Sequence, residues 1–447
     1  MNKLFSEFQA PDYNTWVNQI KKDLKDKPLT ALESNPEYDL DIIAYHHPTQ
    51  DYSAPIEPSI LNNWQRENNH WQIRKVYDAG QNLSILHDLN KGVNAVSIPA
   101  ITTNQVKDDF KDILLDHITA DIRFENAETA KNLQVPSGAL LNFDVLALNA
   151  KAGKHGCSLH DFLLFYQKNP ASKSIWIHGY MYGNAGAGTV DELAFTLSHL
   201  NEYVHFLHVE NKIDLKEIND KLVVELSVTE NYFVNLAKFR VMRQLLHLLF
   251  KAYDTTYEMS VPTVYATTST RFLALNDANN NYLRQTTQAM SAVLGGCDAL
   301  TISTIECPDE KSAAMVHHMA TNIQLVLAEE SFLNQVTDPA AGSYYLESLS
   351  DQILTKAWNQ FQQIEEEGGW LKCIETNVIQ HQILETRKKL QQDIQTGKKS
   401  FLGVNRYPNK AEKWIHANHQ SDSTAEDFEA IQPFIAEQYY QQQAATK

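Results

Sequence analysis

The chain has 447 residues, 43% of them apolar, a formal net charge of −17 and four cysteines. Its length fits one large domain with extensions or two ordinary ones, its apolar share excludes global disorder, and its acidity argues against nucleic acid or an anionic membrane as partner. No apolar run reaches the roughly 18 residues of a bilayer span. The start MNKLFSEFQAPDYNTW lacks a signal peptide's apolar segment, and Cys157, Cys297, Cys307 and Cys373 show no CxxC spacing, so a cytoplasmic protein with incidental thiols is expected.

In chain order, residues 1–60 hold one helix, Tyr13–Leu24, and then the extended stretch YHHPTQDYSAPIEPS. That segment lacks apolar surface for a core of its own and is expected to wrap a partner. From 61 to 335, β-rich runs alternate with amphipathic segments. The predicted strands are 72–79, 94–100, 118–124, 140–148, 174–180, 221–228, 261–269 and 298–304. The predicted helices are Asn82–Lys91, Thr103–His117, Tyr232–Tyr253, Asn281–Leu294 and Ser312–Glu329. Strands that alternate with helices form a parallel sheet, because each return crossing needs a helix. Eight such units across roughly 230 residues predict an α/β fold, the (β/α)8 TIM barrel. A doubly wound open sheet is the alternative. Residues 336–400 read as a helical extension that ends near Gly397, and 401–447 as a polar, linker-like tail.

The stretch SIWIHGYMYGNAGAGT, residues 174–189, resembles a phosphate cradle between a strand and a helix. The spacing fails in detail. Gly183 and Gly188 are five apart, as in a P-loop, but Thr189 and Val190 stand where Lys and Ser or Thr belong. Read from Gly186, Asp191 occupies the third glycine of a dinucleotide fingerprint. The adjacent pairs His46–His47 and His317–His318 point to different sides of a helix or strand and make poor chelates. His178 reads as a satisfied core or rim residue.

Several stretches identify a family. NDANNNYLRQTTQAMSAVLGGCDALTIST, VTDPAAGSYYLESLSDQI, IEEEGGW, GVNRYPN and the N-terminal LFSEFQAPDYNTWVNQIKKDLK resemble, in order, signatures of the adenosylcobalamin-dependent acyl-CoA mutases, the methylmalonyl-CoA enzymes most of all. The resemblance covers nearly the whole chain. It implies a TIM barrel with an N-terminal arm and a C-terminal extension, in which CoA threads the barrel axis of catalytic members. It also implies cofactor-borne radical chemistry, with the protein supplying position.

The family's functional side chains are missing at the matching positions. The cobalt-ligating motif DxHxxG is absent, since none of the 17 histidines has Asp two residues before it. The thioester-binding His of SGYHMQEAGA falls at Met181, and a thioether cannot donate. The CoA-contacting Arg of RTHSQTSGW falls at Thr263, while Arg271, eight residues on, reads as a loop or surface cation. Between Val145 and Ser174 no Arg replaces the family's carboxylate-binding one; Lys151, Lys154 and Lys168 lack its bidentate fork. The radical-shielding Tyr of WTIRQYAGF falls at Val76, with Tyr77 one residue later on the opposite strand face.

The resemblance therefore implies no catalytic, cofactor-binding or metal site in this chain. It implies an inactive small chain of a heterodimeric isomerase of propionate metabolism, paired with a homologous large chain that carries adenosylcobalamin, or a homodimer when alone. The sequence favours an original active site kept for its shape, with glycines Gly179, Gly186 and Gly188 needed by the backbone turn. An alternative is the barrel subunit of another acyl-CoA mutase, such as an isobutyryl-CoA type, that borrows a separate cobalamin domain.

Overall fold

The computed structural model describes residues 12–47 (except 26, 36 and 38), 68–305, 310–408 and 426–445. Cys307 and most of the extended stretch between 48 and 67 lie outside the described residues.

Eight parallel strands build the fold: β1 (Gln72–Val76), β2 (Ala95–Pro99), β3 (Thr119–Arg123), β4 (Leu140–Asn142), β5 (Ile175–His178), β6 (Leu222–Val228), β7 (Thr263–Thr268) and β8 (Ala299–Thr301). Their order is β4-β3-β2-β1-β8-β7-β6-β5, and the Leu141 N–H donating to Lys173 O at 2.8 Å ties the two ends together. The result is the expected α/β barrel, not an open sheet. Helices such as Thr189–Val204, Tyr232–Tyr253 and Asn280–Leu294 return the chain between strands and bury their apolar faces against the outside of the sheet.

One element departs from the sequence pattern. The apolar run 140–148 reads as a single long strand, yet it is a strand only to Asn142 and a helix from Val145 to Ala152. Asp144 decides this, because its carboxylate caps the helix by accepting from the Ala147 N–H at 3.0 Å.

The N-terminal helix Tyr13–Leu24 buries none of its residues, although Trp16 stacks on Tyr45 at 4.8 Å. Farther along, the arm packs on its own chain: Leu40 is fully buried, and Gln352 of the C-terminal extension exchanges hydrogen bonds with the Asp41 backbone. Beyond β8 the chain forms helices Tyr344–Glu366, Gly369–Glu375 and Val378–Gln395 in place of one long helix, broken at Gly368 and Asn377, both at positive φ. The described residues after 425 pack back onto the molecule. Phe434 and Ala436 join Phe272, Leu390 and Phe401 in a separate apolar cluster. Their backbone N–H groups bond to Asn184 O and Arg271 O, at 2.8 and 2.9 Å.

Candidate functional site at the barrel mouth

Alternation along the strands sends Arg74, Asp121 and Glu225 into the barrel, the one place where side chains of β1, β3 and β6 can meet. Arg74 Nε and Nη2 grip the two Asp121 oxygens at 2.7 and 3.0 Å, and Nη1 reaches Glu225 Oε1 at 3.3 Å. Ser97 and Thr301 accept from the same guanidinium at 3.0 and 2.9 Å. The side chains of Arg74, Asp121 and Glu225 are all at most 5% exposed. Burial opposes the charge on Arg74, but Asp121 and Glu225 outweigh it and hold the guanidinium's pKa above its ordinary value.

Two aromatic rings pack against this network. The Arg74 guanidinium lies 5.6 Å from the Trp176 ring centre and 5.8 Å from that of Tyr265. Trp176 and Tyr265 meet edge to face at 5.4 Å and cluster with Val223 and Ala299. Bulky groups from β1, β5 and β7 therefore fill the axis.

Above the network, at the C-terminal ends of the strands, lies a cavity of about 390 Å³. Val76, Arg123, Asn142, His178, Tyr180 and Asn184 are among its walls. Val76 thus stands at the mouth. Tyr77 does not: it is 3% exposed and donates to Asp88 Oδ2 at 2.9 Å on the helix side of β1. Burial and the neighbouring Asp88 push its hydroxyl pKa well above the tyrosine range. Met181, 4% exposed, belongs to the main apolar core and is not among the residues lining the cavity. Of Tyr77, His178 and Met181, only His178 lines the mouth.

His178 is not the fully satisfied residue expected. Nε2 lies 2.7 Å from Asn142 Oδ1, whereas Nδ1 is buried without a partner. Burial first, then the positive Lys151, hold its pKa well below the histidine range. The ring is therefore neutral, Nε2 carries the proton, and Nδ1 offers a lone pair. Behind it, Asp144 accepts from the His178 backbone N–H at 2.8 Å and lies 3.0 Å from His199 Nε2. Burial alone would raise the Asp144 carboxyl, but His199 and His178 hold it far below the usual range.

The glycine stretch is a folded lid. After β5, Tyr180–Ala185 is a short helix, Gly186 turns at φ 108°, and the helix Thr189–Val204 begins. Gly183 is required by close approach, since a Cβ there would meet Ser227 Oγ at 2.1 Å. Gly188 has an ordinary φ of −73°, and a Cβ there would make only ordinary contacts of 3.8–3.9 Å, so the turn does not require glycine at that position. The anion position at the helix start is taken by the protein itself. Thr189 N–H donates to Glu37 Oε2 at 2.6 Å, and the arm supplies that carboxylate. Arg271 is likewise no surface cation. It is 4% exposed, pairs with Glu230 at 3.0 Å, and donates to Gly183 O and Ala187 O at 3.3 and 3.1 Å, clamping the lid.

The remaining sequence candidates scatter. Thr263 opens β7 at the opposite end of the barrel, where it accepts from Lys173 at 2.8 Å. Lys168 caps backbone carbonyls of Lys131 and Leu133, and Lys154 lies 3.5 Å from Glu426 at the surface. Lys151 alone reaches the mouth, through Tyr180 Oη at 3.1 Å. Sequence reasoning missed Arg123, the cation at the C-terminal end of β3. The available signal was its place, since a charged residue at that end of a barrel strand faces the site. Among the described residues, no three His, Cys, Asp or Glu side chains are placed to hold a metal ion.

A closed (β/α)8 barrel with a filled axis, a folded lid and a polar mouth defines the class: a TIM-barrel protein with its site at the strand C-termini. The family model described as methylmalonyl-CoA mutase matches residues 157–445, and the chain belongs to that family. It is 26% identical to a methylmalonyl-CoA mutase small subunit of Porphyromonas gingivalis, over 92% of this chain and 72% of that relative. A small subunit of Propionibacterium freudenreichii subsp. shermanii is 28% identical, over 69% of this chain and 52% of the relative. The Escherichia coli methylmalonyl-CoA mutase is 33% identical over 53% of this chain, a stretch that spans 33% of that relative.

Proposed function

We propose that this chain is the non-catalytic small subunit of a heterodimeric methylmalonyl-CoA mutase, and that it stabilises a homologous large subunit which carries adenosylcobalamin. The observation that carries this reading is the filled axis. A CoA arm threading the barrel would have to displace the Arg74 network together with Trp176 and Tyr265. The mouth adds support: a cavity of about 390 Å³ is too small for a corrin ring with its nucleotide tail, so its residues do not fit the cofactor. Met181 is buried in the core, which also weighs against the alternative of a substrate-binding barrel served by a separate cobalamin domain. The similarity to chains named as small subunits agrees with the assignment.

Two parts of the division into arm, barrel, extension and tail bear on assembly. Residues near Glu37 and Leu40 secure the arm to its own barrel. The helix Tyr13–Leu24, with Trp16, Val17 and Ile20 incompletely covered, is the portion left to grip the partner. The test is co-purification of the full chain with its large homologue, with and without residues 1–30. Loss of assembly on truncation, with the small chain's own melting intact, supports the reading. Mutase turnover by the small chain alone, or a stoichiometric cobalamin spectrum on it, would overturn it.

A further inference from the structure

The filled axis stops an acyl-CoA, but it does not account for the cavity of about 390 Å³ that stays open above it. The charge set around that cavity cancels. Arg74, Arg123 and Lys151 stand against Asp121, Glu225 and Asp144. Burial opposes the charge on Asp144, but His199 and His178 hold its carboxyl far below the usual range, so it is ionised. Lys75 is matched by Asp88, and burial first, then Lys75, holds His317 below the ordinary histidine value. A charged ligand finds no uncompensated partner here and would give up its water for a neutral wall, which is costly. The occupant that fits is uncharged.

The hydrogen bonding of the wall narrows the class further. Arg123 spends three N–H donors on Ser97 O, Ser97 Oγ and Tyr77 O. A guanidinium has five such donors, which leaves two for the mouth. Tyr180 Oη accepts from Lys151 at 3.1 Å, and its own proton has no acceptor among the described residues. Asn142 and Gln324 spend their amide oxygens on His178 Nε2 and Trp71 Nε1, at 2.7 and 3.2 Å. Their amide N–H groups, and those of Asn184, meet no acceptor among the described residues, and none of these nitrogens is sealed from water. Ser303 Oγ and Thr304 Oγ1 are likewise open and unpaired there. All these side chains line the cavity, and Arg123, Tyr180, Asn184, Ser303 and Thr304 keep part of their surface exposed. The reachable wall is therefore rich in donors, with two hydroxyls that serve either way. A hydroxyl carries one donor and two lone pairs, so a molecule built of hydroxyls offers twice as many acceptors as donors and complements such a wall. An ammonium brings donors alone and meets none of these groups.

We propose that the mouth of this barrel binds an uncharged polyol of about pentose size, whose hydroxyls accept from Arg123, Tyr180 and the Asn142, Asn184 and Gln324 amides and exchange bonds with Ser303 and Thr304. The polyol enters from the side on which the cavity shares Lys75, Val76, His317 and Thr321 with the open groove beside the helix Asn82–Leu89. A volume of about 390 Å³ lies within the range of ordinary small-molecule sites. The site is separate from any catalytic role, and binding at it requires no turnover.

The probes are xylitol, pentane-1,5-diol, which keeps the chain but only its end hydroxyls, and D-xylonate, which carries a carboxylate at one end. Each is titrated into the full-length chain by calorimetry, with saturation-transfer NMR as a second readout. Xylitol is expected to bind at millimolar concentration or below. The diol and xylonate should each bind about tenfold more weakly or worse, since one leaves donors of the wall unpaired and the other brings a charge without a counterpart. Val76 is 41% exposed at the rim, and Val76→Trp should abolish xylitol binding by filling the entrance, with the melting temperature unchanged. Ser303→Ala should weaken xylitol by about fivefold. If a variant does not fold, the order of the three probes on the unaltered chain decides alone. No binding of xylitol at tens of millimolar, a diol or xylonate that binds as well as xylitol, or xylitol binding undiminished in a folded Val76→Trp chain would each overturn the proposal. None of these results bears on mutase activity, which is assayed separately.

Discussion

Replacing Arg74 with Met tests whether the barrel axis is closed. Arg74 makes two bonds to Asp121, one to Glu225 and one each to Ser97 and Thr301. Methionine fills most of the same volume but removes the cation that bridges the two carboxylates. Asp121 would keep its bond from Ser97 Oγ at 2.6 Å, and Glu225 those from Thr267 and Trp176. Breaking one buried ion pair by deleting a partner costs about 3–5 kcal/mol, and here one deletion orphans two acids. The expected loss at neutral pH is therefore at the top of that range, about 5 kcal/mol. It should shrink on acidification, because a buried uncompensated carboxylate neutralises by taking up a proton. Urea unfolding followed by circular dichroism, at neutral and mildly acidic pH, measures both effects. The triple variant Arg74→Met, Asp121→Leu, Glu225→Leu should recover most of the loss. A cost below about 1 kcal/mol for Arg74→Met would refute the reasoning, since it would mean that water already reaches both acids and the axis is open.

Three further outcomes are expected. Met181→Ala should lower the chain's stability by about 2–5 kcal/mol, as for other buried Met truncations, while the assembled mutase keeps its turnover in a coupled assay. Glu37→Gln should weaken the arm's hold on Thr189 by about 1 kcal/mol, visible as faster proteolysis near residue 40. Desolvation by the surrounding arm and barrel, then Asp191 and Glu37, push the Asp39 carboxyl up to about 6, although the residue keeps an exposed surface. A raised acid pKa in the fold means its contribution is fully present below its unfolded value near 3.8 and lost as pH rises through about 6. Protection of the arm from protease should therefore fall over that window, and Asp39→Asn should flatten the dependence.

The barrel was legible because its pattern is redundant. Most strands are rich in Val, Ile or Thr, the long return helices have their own apolar stripes, and Tyr13–Leu24 and Tyr232–Tyr253 carry strong enough signals that their bounds emerge unchanged. Asp144 was harder, because the run on either side of it is apolar enough for a strand and only the cap reveals the helix. At the site, Met181 and Val76 were readable as departures from the family's motifs by their positions. The arrangement that fills the axis was not. Arg74, Asp121 and Glu225 are 47 and 151 residues apart from Arg74 in sequence, and nothing local shows that they share one interior. Arg271 was misjudged for the same reason, since its partner Glu230 is 41 residues away.

The last described stretch of the chain also stitches the mouth together. Glu437 accepts from Leu275 N, Asn276 N and Asn276 Nδ2 across separations of 161 and 162 residues. Phe434 bonds to the carbonyl of Asn184 in the lid, and Lys399 pairs with the Glu230 that anchors the Arg271 clamp. During synthesis, all eight strands leave the ribosome before these residues do. At roughly 5–20 residues per second, the nascent barrel waits on the order of ten seconds with its upper rim unfastened. Contacts so distant in sequence also close slowly. The rim is thus the part of the molecule most exposed to chaperones and to mispairing with another newly made barrel. A rare-codon stretch placed between β8 and residue 399 would lengthen that exposure without altering a single side chain.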